Sequence, residues 1–296
     1  MKNTDLTLMK IMDRFSTEEA AREYFENIRW ANGPICPHCG NVDQKRIYKI
    51  AANPAKKIRN GLYKCAECGE QFSVTVGTVM EDTHIPLGKW LIAFYMICAS
   101  KTQISALQLQ RQLALGSYRT AWHLCHRIRY ALMESGPIDI LNGTVEADET
   151  YIGGRVKGKG RRYTGNKTAV VSLVERGGKV RQHIMPAAHL NTDESPLYKK
   201  LGKDFASHET VNHSVEEYVR HNKKTGRTAT TNTVEGFFGN SKRSLDGTHH
   251  HVSGRHLPLY LAELDHKYNT RKISDGARTV VGIRGIEGKR LRYRDS

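Results

Sequence analysis

Two cysteine pairs constrain this chain more than anything else in it. Cys36-Pro37-His38-Cys39 and Cys65-Ala66-Glu67-Cys68 stand with residues 40–64 between them, and a glycine follows each pair, at Gly40 and Gly69. Two residues between cysteines let both sulfurs face one point while backbone N–H groups bond them, and the glycine permits the tight turn. Four thiolates at about 2.3 Å in a tetrahedron suit structural Zn²⁺, and such a site is closed to chemistry. The alternative is two unrelated Cys-x-x-Cys redox pairs. Doubled knuckles separated by strand-like runs favour the metal, with His38 as a spare ligand. The runs 47–50, 61–64 and 72–76 alternate apolar with polar residues, as short strands do. A unit this small, 35–80, buries little core, so metal loss is expected to unfold it. Cys98 and Cys125 lie in apolar helical patterns and read as core residues.

The flanking segments are helical. Over 16–30, Ser16 and Glu19 form a capping box ahead of the stripe Ala20, Ala21, Tyr24, Phe25 and Ile28, and Trp30 closes the segment. Residues 86–134 carry helical periodicity with breaks near Thr102 and Gly116, which gives three helices and a helix-turn-helix unit over 85–135. In the third helix Ala121, Trp122, Cys125, Ile128 and Leu132 share one face. Arg119, His123, His126, Arg127 and Arg129 lie elsewhere. A recognition helix needs that division, and it makes Arg119 and Arg127 candidate DNA contacts. An ordinary bundle with a solvated basic face stays open beside it. The net charge of +16 favours a polyanionic partner, because Lys and Arg that neutralise phosphates release condensed counterions. An anionic membrane would also attract it. No apolar run approaches the ~18 residues that span a bilayer, and the N-terminus lacks a signal-peptide pattern. The expectation is a cytoplasmic protein with no membrane partner.

The composition changes at Ser135-Gly136-Pro137. Strands are expected over 144–152, 168–175 and 180–185, the last two joined by the turn Arg176-Gly177-Gly178-Lys179. Helices are expected over 214–220, 233–245 and 257–269, and the tail beyond Lys272 is basic without clear periodicity. Three acids stand out by their surroundings. Asp148 sits in a strand-like run with Glu146 and Glu149, where carboxylates are costly unless they hold something. Asp193 follows Asn191-Thr192. Glu235 precedes Gly236 and Gly239 on a helix whose Val234, Phe237, Phe238 and Leu245 form an apolar face. Each glycine weakens a helix by about 1 kcal/mol, which points to a close approach of backbone or ligand. Lys242 stacks two turns beyond Glu235, with Arg243 beside it. Glu146, Glu149 and Glu194 are read as solvated carboxylates. The run 155–162, ending in Arg161 and Arg162, is a phosphate-binding loop or a solvated one.

Together these motifs resemble the zinc-ribbon DDE transposases of bacterial insertion sequences, the class with an ISXO2-like transposase domain. The likeness runs through Arg29-Trp30, Gly33-Pro34-Ile35 with the first knuckle, the second knuckle, and Asp148-Glu149-Thr150-Tyr151-Ile152-Gly153-Gly154. It continues in Val211-Asn212-His213-Ser214, Glu217-Tyr218-Val219, Asn232-Thr233-Val234-Glu235-Gly236-Phe237-Phe238, Lys242-Arg243 and Tyr268-Asn269-Thr270-Arg271. The resemblance implies a multidomain chain of α+β and α/β character. Its parts would be an N-terminal helix (1–34), the zinc ribbon (35–80), the helix-turn-helix (85–135), a ribonuclease H-like catalytic domain (140–272) and a basic tail (273–296).

By the same resemblance Asp148, Asp193 and Glu235 are the catalytic acids, holding two Mg²⁺ or Mn²⁺ ions that activate water and then the freed 3′-hydroxyl. Lys242 matches a DNA-contacting basic residue, and Asn232 a position kept near the site. His208, Asn212 and His213 form a family-typical patch of undefined role. The implied partners are double-stranded DNA, as transposon terminal repeats and target, and further copies of the chain on DNA, in a bacterial, nucleoid-associated setting.

One departure stands out. Only 186–192 separate Met185 from Asp193, where the family has a crossover helix and a strand, and a parallel crossover takes a dozen or more residues. The expectation is therefore a domain missing one helix and one strand, and either an active transposase or a deletion-bearing inactive copy. A non-catalytic DNA-binding regulator and another two-metal nuclease are the competing functions.

Overall fold

The computed structural model describes residues 6–134, 141, 143–153, 167–181, 189–192, 207–211, 219–222 and 226–295. The chain divides into two compact units. One joins Met1–Ser135 to Thr270–Ser296; the other is Gly136–Asn269.

In the first unit, α1 (Leu8–Arg14) and α2 (Glu18–Arg29) precede a small antiparallel sheet of β1 (Ile47–Ile50), β2 (Leu62–Cys65) and β3 (Gln71–Phe72), in that order. The cap of α2 is Thr17, one residue beyond the expected Ser16: its hydroxyl accepts from the Ala20 amide at 3.2 Å. The sheet has almost no aliphatic core. Its interior is three rings, Trp30 edge-on to Tyr63 and Phe72, with Tyr63 stacked on Phe72 across the β2–β3 pair.

Helices α3 (Leu87–Ala99), α4 (Ala106–Gln112) and α5 (Tyr118–Leu132) follow as expected from periodicity. α3 is the centre of the unit: Trp90, Leu91, Ala93, Phe94, Ile97 and Cys98 are fully buried. A helix apolar on most of its circumference must have neighbours on most sides, and α2, α5 and α8 (Asp275–Arg284) supply them. α8 lies in the stretch expected to be an aperiodic tail. Ser274 caps it, and Val280 and Ile283, with Ile286 just beyond, are buried.

The second unit is built on a five-stranded sheet of β4 (Thr144–Ile152), β5 (Thr168–Glu175), β6 (Val180–Arg181), β7 (His189–Thr192) and β8 (Ser207–Thr210). Its spatial order is β6-β5-β4-β7-β8. β4, β5 and β6 form an antiparallel meander; β7 and β8 run parallel to β4. β9 (Arg220–Asn222) and β10 (Arg227–Ala229) make a separate hairpin, so Arg220 begins a strand where the end of a helix was expected. Residues 212–218, the rest of that expected helix, lie outside the described residues. Helices α6 (Asn232–His249) and α7 (Leu257–Asn269) close the unit. Val234, Phe237, Phe238 and Leu245 share one core with Leu257, Tyr260, Leu261 and Leu264 of α7 and with Val170, Val174 and Val180 of the sheet.

The strand expected to be missing is present: β7 ends immediately before residue 193 and lies beside β4. The distance it must be reached across is short. Arg181 is level with Leu173 and so with Ala147, whereas His189 is level with Thr144. The step from β6 to β7 is therefore three strand spacings sideways, about 14 Å, and three residues back, about 10 Å, or roughly 17 Å in all. Eight Cα steps reach at most about 26–29 Å. The usual length of a parallel crossover reflects the helix it carries; residues 182–188, which join β6 to β7, lie outside the described residues. None of the described helices is long and apolar enough to cross a membrane.

Candidate functional site

The four thiols of the first unit converge. Cys36 Sγ lies 3.7 Å from Cys68 Sγ, Cys39 Sγ lies 3.7 Å from Cys65 Sγ, and all four fall within 4.8 Å of one another. A tetrahedron of sulfurs 2.3 Å from its centre has edges of about 3.8 Å, while a disulfide would need about 2.05 Å. The two knuckles fold alike. In each, the amide of the following glycine donates to the carbonyl of the first cysteine at 2.9 Å, and that glycine has a positive φ, +74° at Gly40 and +78° at Gly69. Cys65 is drawn down to about 6, mainly by the Cys68 backbone N–H and then by the Asn41 side chain and the Glu67 N–H, against the opposing effect of burial. A thiol so disposed gives up its proton to a cation readily. The donor set, spacing and closed geometry fit structural zinc and nothing catalytic.

The expected recognition helix is turned inward more than its sequence face implied. Arg127 is only 7% exposed. Its guanidinium donates to the Glu81 carbonyl and lies 5.1 Å from the Trp90 ring centroid, and burial lowers its pKa to about 10. His126 and Arg129 are buried too. Arg127 thus packs inside the unit: α5 has neighbours on several sides, and one apolar stripe could not reveal how many. Arg119, in the first turn, is exposed as expected.

In the second unit, strand alternation and register put Glu146, Asp148 and Thr150 on one face with Val170, Ser172 and Val174 of β5. That is the face α6 and α7 cover. Asp148 is half-buried there and accepts the Glu149 amide at 2.8 Å. Two residues away, Glu146 is fully buried, where sequence had left it as a solvated acid. One of its oxygens accepts from Thr233 N at 2.6 Å and Val234 N at 3.0 Å; the other accepts from Thr233 Oγ1 at 2.9 Å and Arg176 Nε at 2.7 Å. Those amides are the second and third of α6, the pair that an N-cap side chain ordinarily serves. The N-cap residue, Thr231, makes no such bond. Its hydroxyl donates instead to Glu235 Oε1 at 2.6 Å. A strand carboxylate thus caps the helix from outside, and the residue it relieves orients Glu235.

Arg176 extends this support, with Nη1 on Thr228 O at 2.9 Å and Nη2 on Thr230 O at 3.3 Å. The sequence signal for Glu146 was its place in a strand two residues from Asp148, on the same face. Its partner, 87 residues away, was not readable.

Glu235 is exposed in the first turn of α6, and Lys242 and Arg243 are exposed further along it. A β-carbon at Gly236 or Gly239 would meet nothing within 4 Å, so no part of the described chain approaches these glycines. His208 Nε2 lies 2.8 Å from Thr192 Oγ1, and burial lowers the pKa of that imidazole. Asp193, Arg161, Arg162, Asn212 and His213 lie outside the described residues.

Comparison with known proteins gives three matches. Residues 16–71 match the family model of the transposase zinc-ribbon domain, and residues 177–269 match that of the ISXO2-like transposase domain. The first span contains all four cysteines; the second contains Asp193 and Glu235 and begins after Asp148. An uncharacterized protein in transposable element ISH50 of Halobacterium salinarum is 30% identical over 190 residues, covering 58% of this chain and 60% of that protein. This chain thus matches about 60% of its curated relative's length. No solved structure matches. The likeness to insertion-sequence transposases that the motifs carried is borne out in both units.

Proposed function

We propose that this chain is an insertion-sequence transposase of the zinc-ribbon class, which cuts transposon ends and joins them to target DNA with the acids Asp148, Asp193 and Glu235. The observation that carries the reading is the tie between β4 and α6. Glu146 fixes the first turn of α6 against the strand and face that bear Asp148, so the carboxylates of Asp148 and Glu235 belong to one braced element pair. The strand register supports the second acid. Glu146 is opposite Asn191 on these parallel strands, and β7 ends at Thr192, the residue before Asp193 in sequence. The same sheet, an antiparallel meander continued by two parallel strands, supports the ribonuclease H-like assignment.

Two or three carboxylates suffice for Mg²⁺ or Mn²⁺, which keep several waters. With such ions bound, the site would supply an activated oxygen nucleophile and charge neutralisation at the phosphodiester. The chain's own part is positional. Thr231 holds the Glu235 carboxylate, the Glu146–Arg176 pair holds the helix start, and Lys242 and Arg243 offer exposed cations to the phosphates beyond it. The zinc ribbon and helix-turn-helix would bind the terminal repeats as duplex DNA, with two or more copies pairing the ends.

The test is strand cleavage and joining on the element's own ends with Mg²⁺ or Mn²⁺, comparing wild type with Asp148→Ala. Activity in the wild type and none in the variant is expected. The short step from β6 to β7 gives a second reading, a copy that binds ends without cutting them. Tight end binding and full zinc content with no cleavage in the wild type would establish that one.

A further inference from the structure

Residues 44–66 hold seven lysines and arginines and no Asp or Glu, +7 in a chain whose net charge is +16. All seven are exposed. Arg46 pairs with Glu67 at 3.0 Å. Lys45, Lys49, Lys56, Lys57, Arg59 and Lys64 form no ion pair among the described residues. The acids that border this stretch in sequence, Asp43, Glu67 and Glu70, lie beyond Ile47 and Cys65, at the knuckle end of the β1–β2 ladder. The loop 51–61 leaves from Ile50 and Leu62, at the opposite end. There α2 brings Arg22, whose side chain a β-carbon at Gly61 would strike and which is itself paired with Glu19 at 3.6 Å. Glu26 of α2 accepts from Tyr63 Oη at 2.9 Å.

This loop is ordered by its own bonds. Asn53 N donates to Ile58 O at 3.0 Å, and Ile58 N to Asn53 O at 2.9 Å. Inside that bridge Pro54–Lys56 form one turn of 3-10 helix, capped by the Asn53 side chain, which accepts the Lys56 amide at 3.2 Å. Lys57 closes the turn in the left-handed region, with φ +56° and ψ +27°. Glycine takes that conformation without steric cost, so the turn itself does not explain a lysine at 57. The Lys57 side chain is exposed and has no partner among the described residues. Three cations, Lys56, Lys57 and Arg59, are thus presented on a fixed turn, at the tip of a hairpin whose base is held by the thiol cluster and the three rings.

We propose that this turn is a phosphate-binding tip of the zinc ribbon, with Lys56, Lys57 and Arg59 on the backbone of duplex DNA. This deepens the transposase reading, on which it rests for its partner. Cations that neutralise phosphates release condensed counterions, which supplies affinity. Backbone contacts fix orientation on the duplex without reading sequence. The closed metal site then has a mechanical part in binding: it stiffens the hairpin that carries the cations. The sequence had placed DNA contacts in the helices and in the run 155–162, and had read the ribbon as structural.

The test is fluorescence anisotropy of the full-length, zinc-loaded protein across a salt series, on duplexes carrying the terminal repeat or a scrambled sequence. K56Q/K57Q/R59Q should weaken binding to both duplexes by roughly tenfold or more and lower the salt slope by about three, one for each phosphate contact. K56R/K57R/R59K should bind as the wild type does. Lys57→Gly separates contact from fold by sign. It relieves the left-handed backbone, so melting should not fall, while binding should weaken by about threefold and the slope drop by about one. Unchanged affinity and slope in the triple Gln variant would overturn the proposal and leave the transposase reading intact. A loss confined to the terminal repeat would overturn it too, since the turn would then read bases. So would a loss accompanied by lost zinc, which would make the cations part of the fold. A wild type that binds neither duplex would overturn both.

Discussion

The two units hold their candidate sites by opposite means. In the first, each half of the site is local: a cysteine, two residues, a cysteine and a glycine turn, repeated once, with both halves joined across a three-stranded sheet whose interior is three aromatic rings. In the second, nothing is local. Asp148 and Glu235 come from a strand and a helix 87 positions apart, and a buried carboxylate, an arginine and a displaced cap keep them in register. A local site depends on its ligand; a distributed one depends on its scaffold. Damage to the metal should therefore cost the first unit its three-stranded sheet, while damage to the brace should cost the second its geometry.

The largest effect should come from zinc. Chelation, or Cys65→Ser, is expected to abolish the fold of β1–β3, because the metal–thiolate energy is folding energy and isolated zinc modules gain about 10–16 kcal/mol from it. Zinc content should fall to near zero on chelation. Hydrogen exchange should show 47–72 losing protection while β4, β5 and α6 keep theirs. Retained protection across 47–72 in the metal-free protein would mean that the aromatic cluster alone suffices, and the contrast between the units would fail.

Glu146→Ala is the converse. It leaves Arg176 without its carboxylate and two first-turn amides of α6 without a cap, which should destabilise the second unit by about 3 kcal/mol in urea unfolding. Glu146→Gln keeps the shape and one acceptor and should cost less. Strand-transfer activity should fall in both variants even where folding is complete, since Thr231 and Glu235 sit on the turn that Glu146 holds. A variant with normal stability and normal activity would show that the brace carries neither.

What could be read from sequence follows the same divide. The cysteine site was legible because ligand spacing within a knuckle is a local property, and strands β4 and β5 were legible because each is a run of eight or nine residues rich in β-branched and apolar side chains. β7 was not: His189-Leu190-Asn191-Thr192 has one apolar residue in four, and its place between β4 and β8 is a property of the sheet. α8 was missed because Gly276 and Gly282 dilute its pattern, although Ser274 and the spacing of Val280 and Ile283 were there to see. The acids Glu146 and Asp148 look alike in sequence. Only the helix end that one of them caps tells them apart.

Arg127 gives the smallest and sharpest of the tests, because its two readings differ in kind. As a base or phosphate contact, its loss would lower DNA affinity and leave stability alone. As a buried residue bonded to the Glu81 carbonyl and packed on Trp90, its loss should do the reverse. Arg127→Met keeps the apolar stem and much of the volume, so the expected cost is the lost charge-assisted hydrogen bond, about 2 kcal/mol. Duplex affinity per folded molecule should not change, nor should its salt slope, since no phosphate contact is removed. A normal melting temperature with weakened DNA binding would put Arg127 back on the recognition face. It would also mean that α5 repacks on DNA, so that the first unit's core is less fixed than its metal site.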